Sequence, residues 1–282
     1  MPQLICPVCA LPLIRHDKSY LCDNRHTYDI ARQGYVNLHL VNQKKTAEPG
    51  DNKEMVLARE AFLNLHHYAP ISEAIVDCLE AKLSGYSMAI ADVGCGVGYY
   101  LHLLQTALQL CTIDITYYGI DISKEAIKLA SKHKQINWLV ASGKRLPFPE
   151  NSLDFVISVF SPIDTKEVYR VLKPSGTVMS VTPAKNHLME LRSQLFETVE
   201  EHDDEKTSVK LAEYFEETQS RSVNDHFTLN AESEIENLLK MTPYYWKSTP
   251  EKKAAISHLT QLSLTLDVSL RCYKKRSISS QS

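Results

Sequence analysis

The chain has 282 residues, 44% of them hydrophobic and 23% charged, which excludes intrinsic disorder on composition and supplies a sizeable core. A net charge of −3 and an isoelectric point near 6.4 by themselves argue against a nucleic-acid binder. No stretch approaches the roughly 20 uncharged apolar residues of a membrane span, and no secretory signal opens the chain, so no membrane and a cytoplasmic location are expected.

Residues 1–40 hold Cys6, Cys9 and Cys22 among short apolar pieces and turn residues, with no helix of useful length. A polar linker follows over 42–52. From Lys53 the apolar residues Met55, Val56, Ala58, Ala61, Phe62 and Leu65 recur at helical spacing, and a second helix is expected over 71–83 after Pro70. Apolar runs over 88–93, 116–120, 136–141, 155–160 and 177–182 read as strands. Helical stretches over 99–109, 124–133, 166–172 and 187–201 separate or follow them. Strands alternating with helices imply a parallel sheet covered on both faces. Later pieces over 225–229 and 261–273 offer two strands for an antiparallel edge, with a helix over 231–240 between them. The tail 277–282 is polar and expected to fray. Charge is uneven along this order. Ten acidic residues stand against Arg192, Lys206 and Lys210 between 190 and 217, so the remainder is mildly basic and compatible with RNA contact.

Two constellations carry chemistry. Cys6, Cys9, Cys22 and His26 form a Cys-x2-Cys-x12-Cys-x3-His pattern, in which two short pairs approach one ion from separate turns. Three sulfurs and an imidazole close a tetrahedral shell, which points to structural Zn²⁺ rather than catalytic metal. His16 competes for the fourth position but lies within the intervening loop. The second constellation, Asp92-Val93-Gly94-Cys95-Gly96-Val97-Gly98, joins a strand to a helix, and Asp121 ends the next strand. Glycines let the backbone approach a ligand closely, and a strand-end carboxylate can hold two ribose hydroxyls. No Gly-Lys-Ser/Thr is present, so this is not a phosphate-cradling loop. The pattern resembles the first motif of class I S-adenosylmethionine-dependent methyltransferases, an α/β, Rossmann-like fold with a mainly parallel sheet. In that resemblance Asp92, Gly94 and Gly96 face the methionine part, Asp121 the ribose, and Ser142 the adenine. Ser142 reads equally as an ordinary turn residue.

Taken end to end, the chain resembles the bacterial 23S rRNA (guanine-N1)-methyltransferases of the RlmA family. The resemblance rests on the zinc motif, Gly34-Tyr35-Val36-Asn37-Leu38, Pro49-Gly50-Asp51 with Met55, residues 92–100, Arg145-Leu146-Pro147-Phe148 and His187-Leu188-Met189-Glu190-Leu191. It implies a zinc-binding RNA-recognition module over 1–42, a methyltransferase domain over 43–282, S-adenosylmethionine as cofactor, 23S rRNA as substrate and a homodimer. It further implies methylation at guanine N1, of the guanine 745 type ahead of the 748 type. Tyr68, Gly96, Val97 and His187 would contact the cofactor. Val97 stands where the family commonly has Glu, and Ser158-Val159-Phe160-Ser161-Pro162 replaces a segment usually carrying Tyr and Ala. Asp164 reads as a helix cap, and no catalytic base is named. Phe160 is a candidate for stacking on a flipped base, and Arg15, Arg25, Arg32, Lys44 and Lys45 are candidates for phosphate contact. The competing reading is a quinone- or sterol-type small-molecule methyltransferase stapled by zinc.

Overall fold

The computed structural model describes residues 2–40, 49–203 and 205–276. The expected boundary at 42/43, most of the linker, Lys44, Lys45 and the tail 277–282 lie outside the described residues. Three short antiparallel strands, β1 (Ile14–His16), β2 (Ser19–Leu21) and β3 (Thr27–Asp29), form an N-terminal ribbon. A fourth strand, β4 (Val36–Asn37), leaves it.

Helix α1 (Lys53–Leu63) begins where the Asn52 side chain accepts from the backbone of Met55, and α2 (Ala69–Glu80) carries Pro70 in its first turn. The alternating region then gives β5 (Ser87–Val93), α3 (Tyr99–Ala107), β6 (Asp114–Asp121) and α4 (Lys124–Ala130). It continues with β7 (Asn137–Val140), β8 (Leu153–Val159), α5 (Thr165–Val171) and β9 (Leu172–Pro183). The C-terminal part comprises α6 (Met189–Leu195), α7 (Glu205–Ala212), β10 (Phe215–Leu229), α8 (Glu232–Met241), α9 (Tyr244–Lys247), α10 (Pro250–Ser257) and β11 (Leu262–Lys275).

Eight strands make one sheet in the order β10-β11-β9-β8-β5-β6-β7-β4. Only β11 runs against its neighbours, because β10 pairs antiparallel with it and so returns to the common direction. The two late strands thus share an edge as expected, but one of them alone is reversed. The expected helix over 187–201 shortens to α6. Leu188 is left-handed (φ 52°) before it and Phe196 is extended after it, which leaves His187 outside the helix. The strand expected over 225–229 begins instead at Phe215, and α7, α9 and α10 are additional.

Strand alternation sends Met88 and Ile90 of β5 to one face and Ala89, Ala91 and Val93 to the other. The first face is covered by α1, α2, α3 and α8, through residues such as Phe62, Ile75, Leu101 and Leu238. The second face is shared. Leu4, Leu13, Val36 and Leu38 of the N-terminal segment pack there with Tyr118, Leu139 and Phe148 of the sheet region. β4 pairs in parallel with β7, and the Ile5 N–H donates to Pro147 O at 3.0 Å. The ribbon and the sheet therefore have one continuous core between them. The order reverses at β5, which lies between β6 and β8, and such a reversal opens a crevice at the carboxyl ends of the strands.

Candidate functional site

That crevice is built from the loop after β5. Gly94 (φ 79°) and Gly98 (φ 79°, the N-cap of α3) occupy left-handed backbone. At Gly94 the lack of a side chain is required twice. An added Cβ would also sit 1.9 Å from Ser161 Oγ, so the loops after β5 and β8 touch only because the residue is glycine.

Asp121 closes β6 with its carboxylate held from two sides: Oδ2 accepts from Gly96 N at 2.9 Å and Oδ1 from Ser123 N at 2.7 Å. Burial pushes its pKa up, while these two backbone donors pull it down. Each oxygen keeps a further lone pair for a hydroxyl donor. Asp92 is buried within β5, and its Oδ1 has no hydrogen-bond partner. Burial, followed by the charge of Asp121, pushes Asp92 up to about 8. Nearby, the Tyr100 hydroxyl is also buried without a partner.

Arg59 of α1 roofs the glycine loop. Its Cδ stands 3.5 Å from where a Cβ on Gly96 would be, and Nη2 donates to Asp51 Oδ2 (2.5 Å) and Met241 O (3.1 Å). Its Nε is buried and unpartnered. Sequence reasoning missed Arg59, and it named Asp51 only within the Pro49-Gly50-Asp51 segment, with no role. The pair is separated by eight residues, and its meaning depends on where α1 lands in space.

The far wall is aromatic. Tyr68 Oη and His187 Nε2 are 3.3 Å apart, and Asp267 N donates to His187 Nδ1 at 3.4 Å. Burial, with His202 and Arg192 nearby, holds His187 down to about 3, so the ring is neutral. Because Nδ1 accepts, the network assigns the proton to Nε2, which donates to Tyr68. Burial keeps the Tyr68 phenol protonated.

The main cleft has a volume of about 650 Å³ and is lined by Asp51, Gly94, Asp121, Gly143 and Phe160 among others. A narrow recess under Arg59 adds about 50 Å³, bounded by Tyr68, Asp92, Val97 and Tyr100. The structure thus gathers Tyr68, Asp92, Gly94, Gly96, Val97 and Asp121 around one space. His187 stands behind Tyr68 and Phe160. Ser142 lies apart: its Oγ accepts from Lys144 N at 3.3 Å, and it lines a separate opening toward the N-terminal segment, while its neighbours Ala141 and Gly143 line the cleft. Asp164 caps α5 by accepting from Glu167 N at 3.0 Å.

These residues fit S-adenosylmethionine. Its zwitterionic end needs an anion and a cation in one recess, which the orphaned Asp92 oxygen and the Arg59 guanidinium would provide. Its ribose needs an acceptor such as Asp121.

The N-terminal cluster has the dimensions of a filled metal site. Cys6, Cys9 and Cys22 Sγ lie 3.5, 3.5 and 3.4 Å from His26 Nδ1, and Cys9 and Cys22 Sγ are 3.7 Å apart. Zn–S and Zn–N bonds of about 2.3 and 2.0–2.1 Å in a tetrahedron give edges of roughly 3.8 and 3.6 Å, so one Zn²⁺ fits. Left-handed Ala10 (φ 60°) and Arg25 (φ 62°) close the two turns that present the ligands. Burial would raise the Cys6 thiol, but hydrogen bonds from Tyr28 and the Cys9 and Val8 backbone bring it to about 6. His16 is exposed on β1, outside this cluster.

A zinc-ribbon family model described as RlmA, N-terminal, matches residues 4–47, and a methyltransferase-domain model matches residues 91–180. The chain is 32% identical over 255 residues to the Streptomyces fradiae 23S rRNA (guanine(748)-N(1))-methyltransferase, covering 89% of this chain and 88% of that protein. It is 31% identical over 276 residues to a Bacillus subtilis (strain 168) protein provisionally named as a 23S rRNA (guanine-N1)-methyltransferase, covering 94% of each. Among solved structures, one chain of the Haloferax volcanii complex between the Trm112 methyltransferase activator and a provisionally named methyltransferase superposes with a TM-score of 0.50. At 19% identity, with 79% of this chain and 95% of that one covered, the likeness is one of fold.

Proposed function

The chain belongs to the RlmA family of 23S rRNA (guanine-N1)-methyltransferases, and from that premise we propose that it methylates N1 of a guanine in a 23S rRNA hairpin. The observation that carries the reading is one chain holding both the closed Cys6/Cys9/Cys22/His26 cluster and the Asp92–Gly98 cleft. Guanine 745 and guanine 748 are the two candidate positions, and mapping of the methylated base tells them apart. The zinc ribbon, 1–42, serves as the RNA-docking module of a methyltransferase body, 43–282. The protein works as a homodimer in the cytoplasm. A small-molecule acceptor is not favoured, because the relatives that match nearly the whole chain carry rRNA names.

When bound, S-adenosylmethionine supplies a methyl group on a sulfonium, an excellent leaving group, so the protein's task is mainly positioning. Asp121, fixed by Gly96 and Ser123, holds the ribose hydroxyls. Asp92 and Arg59 take the ammonium and carboxylate of the methionine part. Ala141 and Gly143, which line the cleft, would border the adenine, with Ser142 shaping their turn. Tyr68, oriented by His187, closes the recess against water. Guanine N1 is protonated at neutral pH and must lose that proton. Tyr68 is held protonated and His187 presents an N–H, so neither serves as the base.

The test is transfer of labelled methyl from S-adenosylmethionine to unmodified 23S rRNA, with a quinone acceptor in parallel. Label should enter the rRNA only. Asp121→Ala should weaken cofactor binding at least ten-fold with the fold intact, since charge-assisted hydrogen bonds are worth roughly 1.5–3 kcal/mol each. Label in the quinone alone, or unchanged affinity in the variant, contradicts the reading.

A further inference from the structure

We propose that Phe160 is the platform on which the guanine to be methylated stacks, with the His187 ring as its fixed backing; this rests on the rRNA methyltransferase reading above.

Four observations converge on this residue. Phe160 is a bulky residue in left-handed backbone (φ 54°), a conformation that costs energy and persists where surrounding structure enforces it. The enforcing contacts are visible. Phe160 N donates to Val181 O at 2.9 Å, Ser158 Oγ donates to Ser161 O at 3.0 Å, and Ser161 packs into the space left by Gly94. The result is a ring 36% exposed, lining both the main cleft and the recess beside Asp92. It thus stands where the cofactor space meets solvent.

Behind it, His187 stacks at 5.4 Å between ring centroids with 28° between planes, and Tyr68 closes the third side at 6.1 Å. His187 is itself held from two sides, by Tyr68 and by Asp267 N. A neutral, oriented imidazole supports an apolar face without bringing a charge. Guanine N1 lies on the Watson–Crick edge, so the base must leave its pair before any methyl can reach it, and a displaced purine needs a π surface to replace the stacking it lost. Among the described large apolar side chains that are exposed, Phe160 alone lines this cleft. The link through Ser161 and Gly94 also ties the platform to the glycine loop, so the base and the cofactor are positioned by one unit.

The experiment uses the full zinc-loaded protein and a 23S rRNA hairpin, with a matched hairpin carrying 2-aminopurine in place of the target guanine. Single-turnover methylation, cofactor affinity and 2-aminopurine fluorescence are measured for wild type, Phe160→Trp, Phe160→Leu and Phe160→Ala. Phe160→Trp should keep the rate within a few-fold. Phe160→Leu, which keeps apolar bulk without a π face, and Phe160→Ala should lose roughly ten- to hundred-fold. Because Phe160 also borders the cofactor space, cofactor affinity should fall by no more than a few-fold, well short of the loss in rate. The displaced 2-aminopurine should be quenched on the wild-type ring and brighten several-fold in the leucine and alanine variants. Leucine methylating as fast as phenylalanine overturns the platform, as does a loss of cofactor affinity that matches the loss of rate. Failure of the wild type to methylate the guanine hairpin instead defeats the functional reading, and the platform falls with it.

Discussion

Asp92 shows how far single residues in this site depend on their ligand. A carboxyl buried without a partner on one oxygen, beside a second carboxylate, keeps its proton up to about pH 8 in the free protein. In the unfolded chain the same group ionises near 4. Between those values the native state binds the extra proton, so this group's contribution to stability declines as pH rises from about 4 to 8. Binding a cationic ammonium reverses the preference and expels the proton. The dissociation constant for S-adenosylmethionine should therefore fall as pH rises from about 5.5 to 7.5, below the range of about 7.7–8.0 in which the α-ammonium loses its own proton, with proton release measurable by calorimetry in buffers of different ionisation enthalpy. Asp92→Asn should bind more weakly with a flat pH profile. A wild-type affinity independent of pH contradicts the assignment. Asp92, the glycines and Asp121 were legible in the sequence because backbone geometry constrains their spacing. Arg59 was not, because its role arises from where α1 crosses the loop, and nothing within α1 itself signals it. The Phe160 backbone strain has no sequence signature either, since a phenylalanine after a strand ordinarily adopts extended backbone.

At the level of elements, the βα alternation from β5 to β9 was readable because each buried strand is a short apolar run. The first ten residues of β10 escaped notice for the opposite reason. Glu216, Glu217, Arg221 and Ser222 are exposed on the outermost strand, whose pairing comes entirely from β11. The cysteine pattern was legible, whereas the shared core was not: nothing in the spacing shows Leu4, Leu13, Val36 and Leu38 packing against the sheet. That packing changes what zinc loss should do. Binding energy in such a small module is largely folding energy, and here it is coupled through β4 to β7. Cys9→Ser should release zinc and lower Tm of the whole protein in one transition. A loss of about 3 kcal/mol corresponds to roughly 6–12 °C in a domain of this size class. Zinc-free protein whose methyltransferase part melts unchanged would show the ribbon to be an independent appendage. The same coupling makes deletion of residues 1–45 a poor probe of RNA docking, since it strips the β7 edge.

Across the whole molecule, an acidic stretch contrasts with an N-terminal segment in which exposed Arg15, Lys18, Arg25 and Arg32 stand against exposed Asp17, Asp23 and Asp29. Glu190, Glu201 and Glu205 of the stretch are engaged internally with Thr265, Lys185 and Arg271. Arg15, Arg25 and Arg32 stand exposed on the zinc-bearing segment. Replacing all three with Gln should leave the cofactor affinity within two-fold and flatten the salt dependence of rRNA binding by a slope of roughly 2–3. An unchanged slope would place the phosphate contacts elsewhere. Docking through the zinc-bearing segment and methyl transfer in the cleft belong to one reaction, which one measurement follows from end to end. Unmodified 23S rRNA, treated with the zinc-loaded enzyme and labelled S-adenosylmethionine, is mapped by reverse transcription and by mass spectrometry of the labelled nucleoside. N1-methylguanosine is expected at a single hairpin guanine, seen as one new reverse-transcription stop that Asp121→Ala abolishes. Label on another atom or base, or none in the rRNA while the cofactor binds normally, would contradict it.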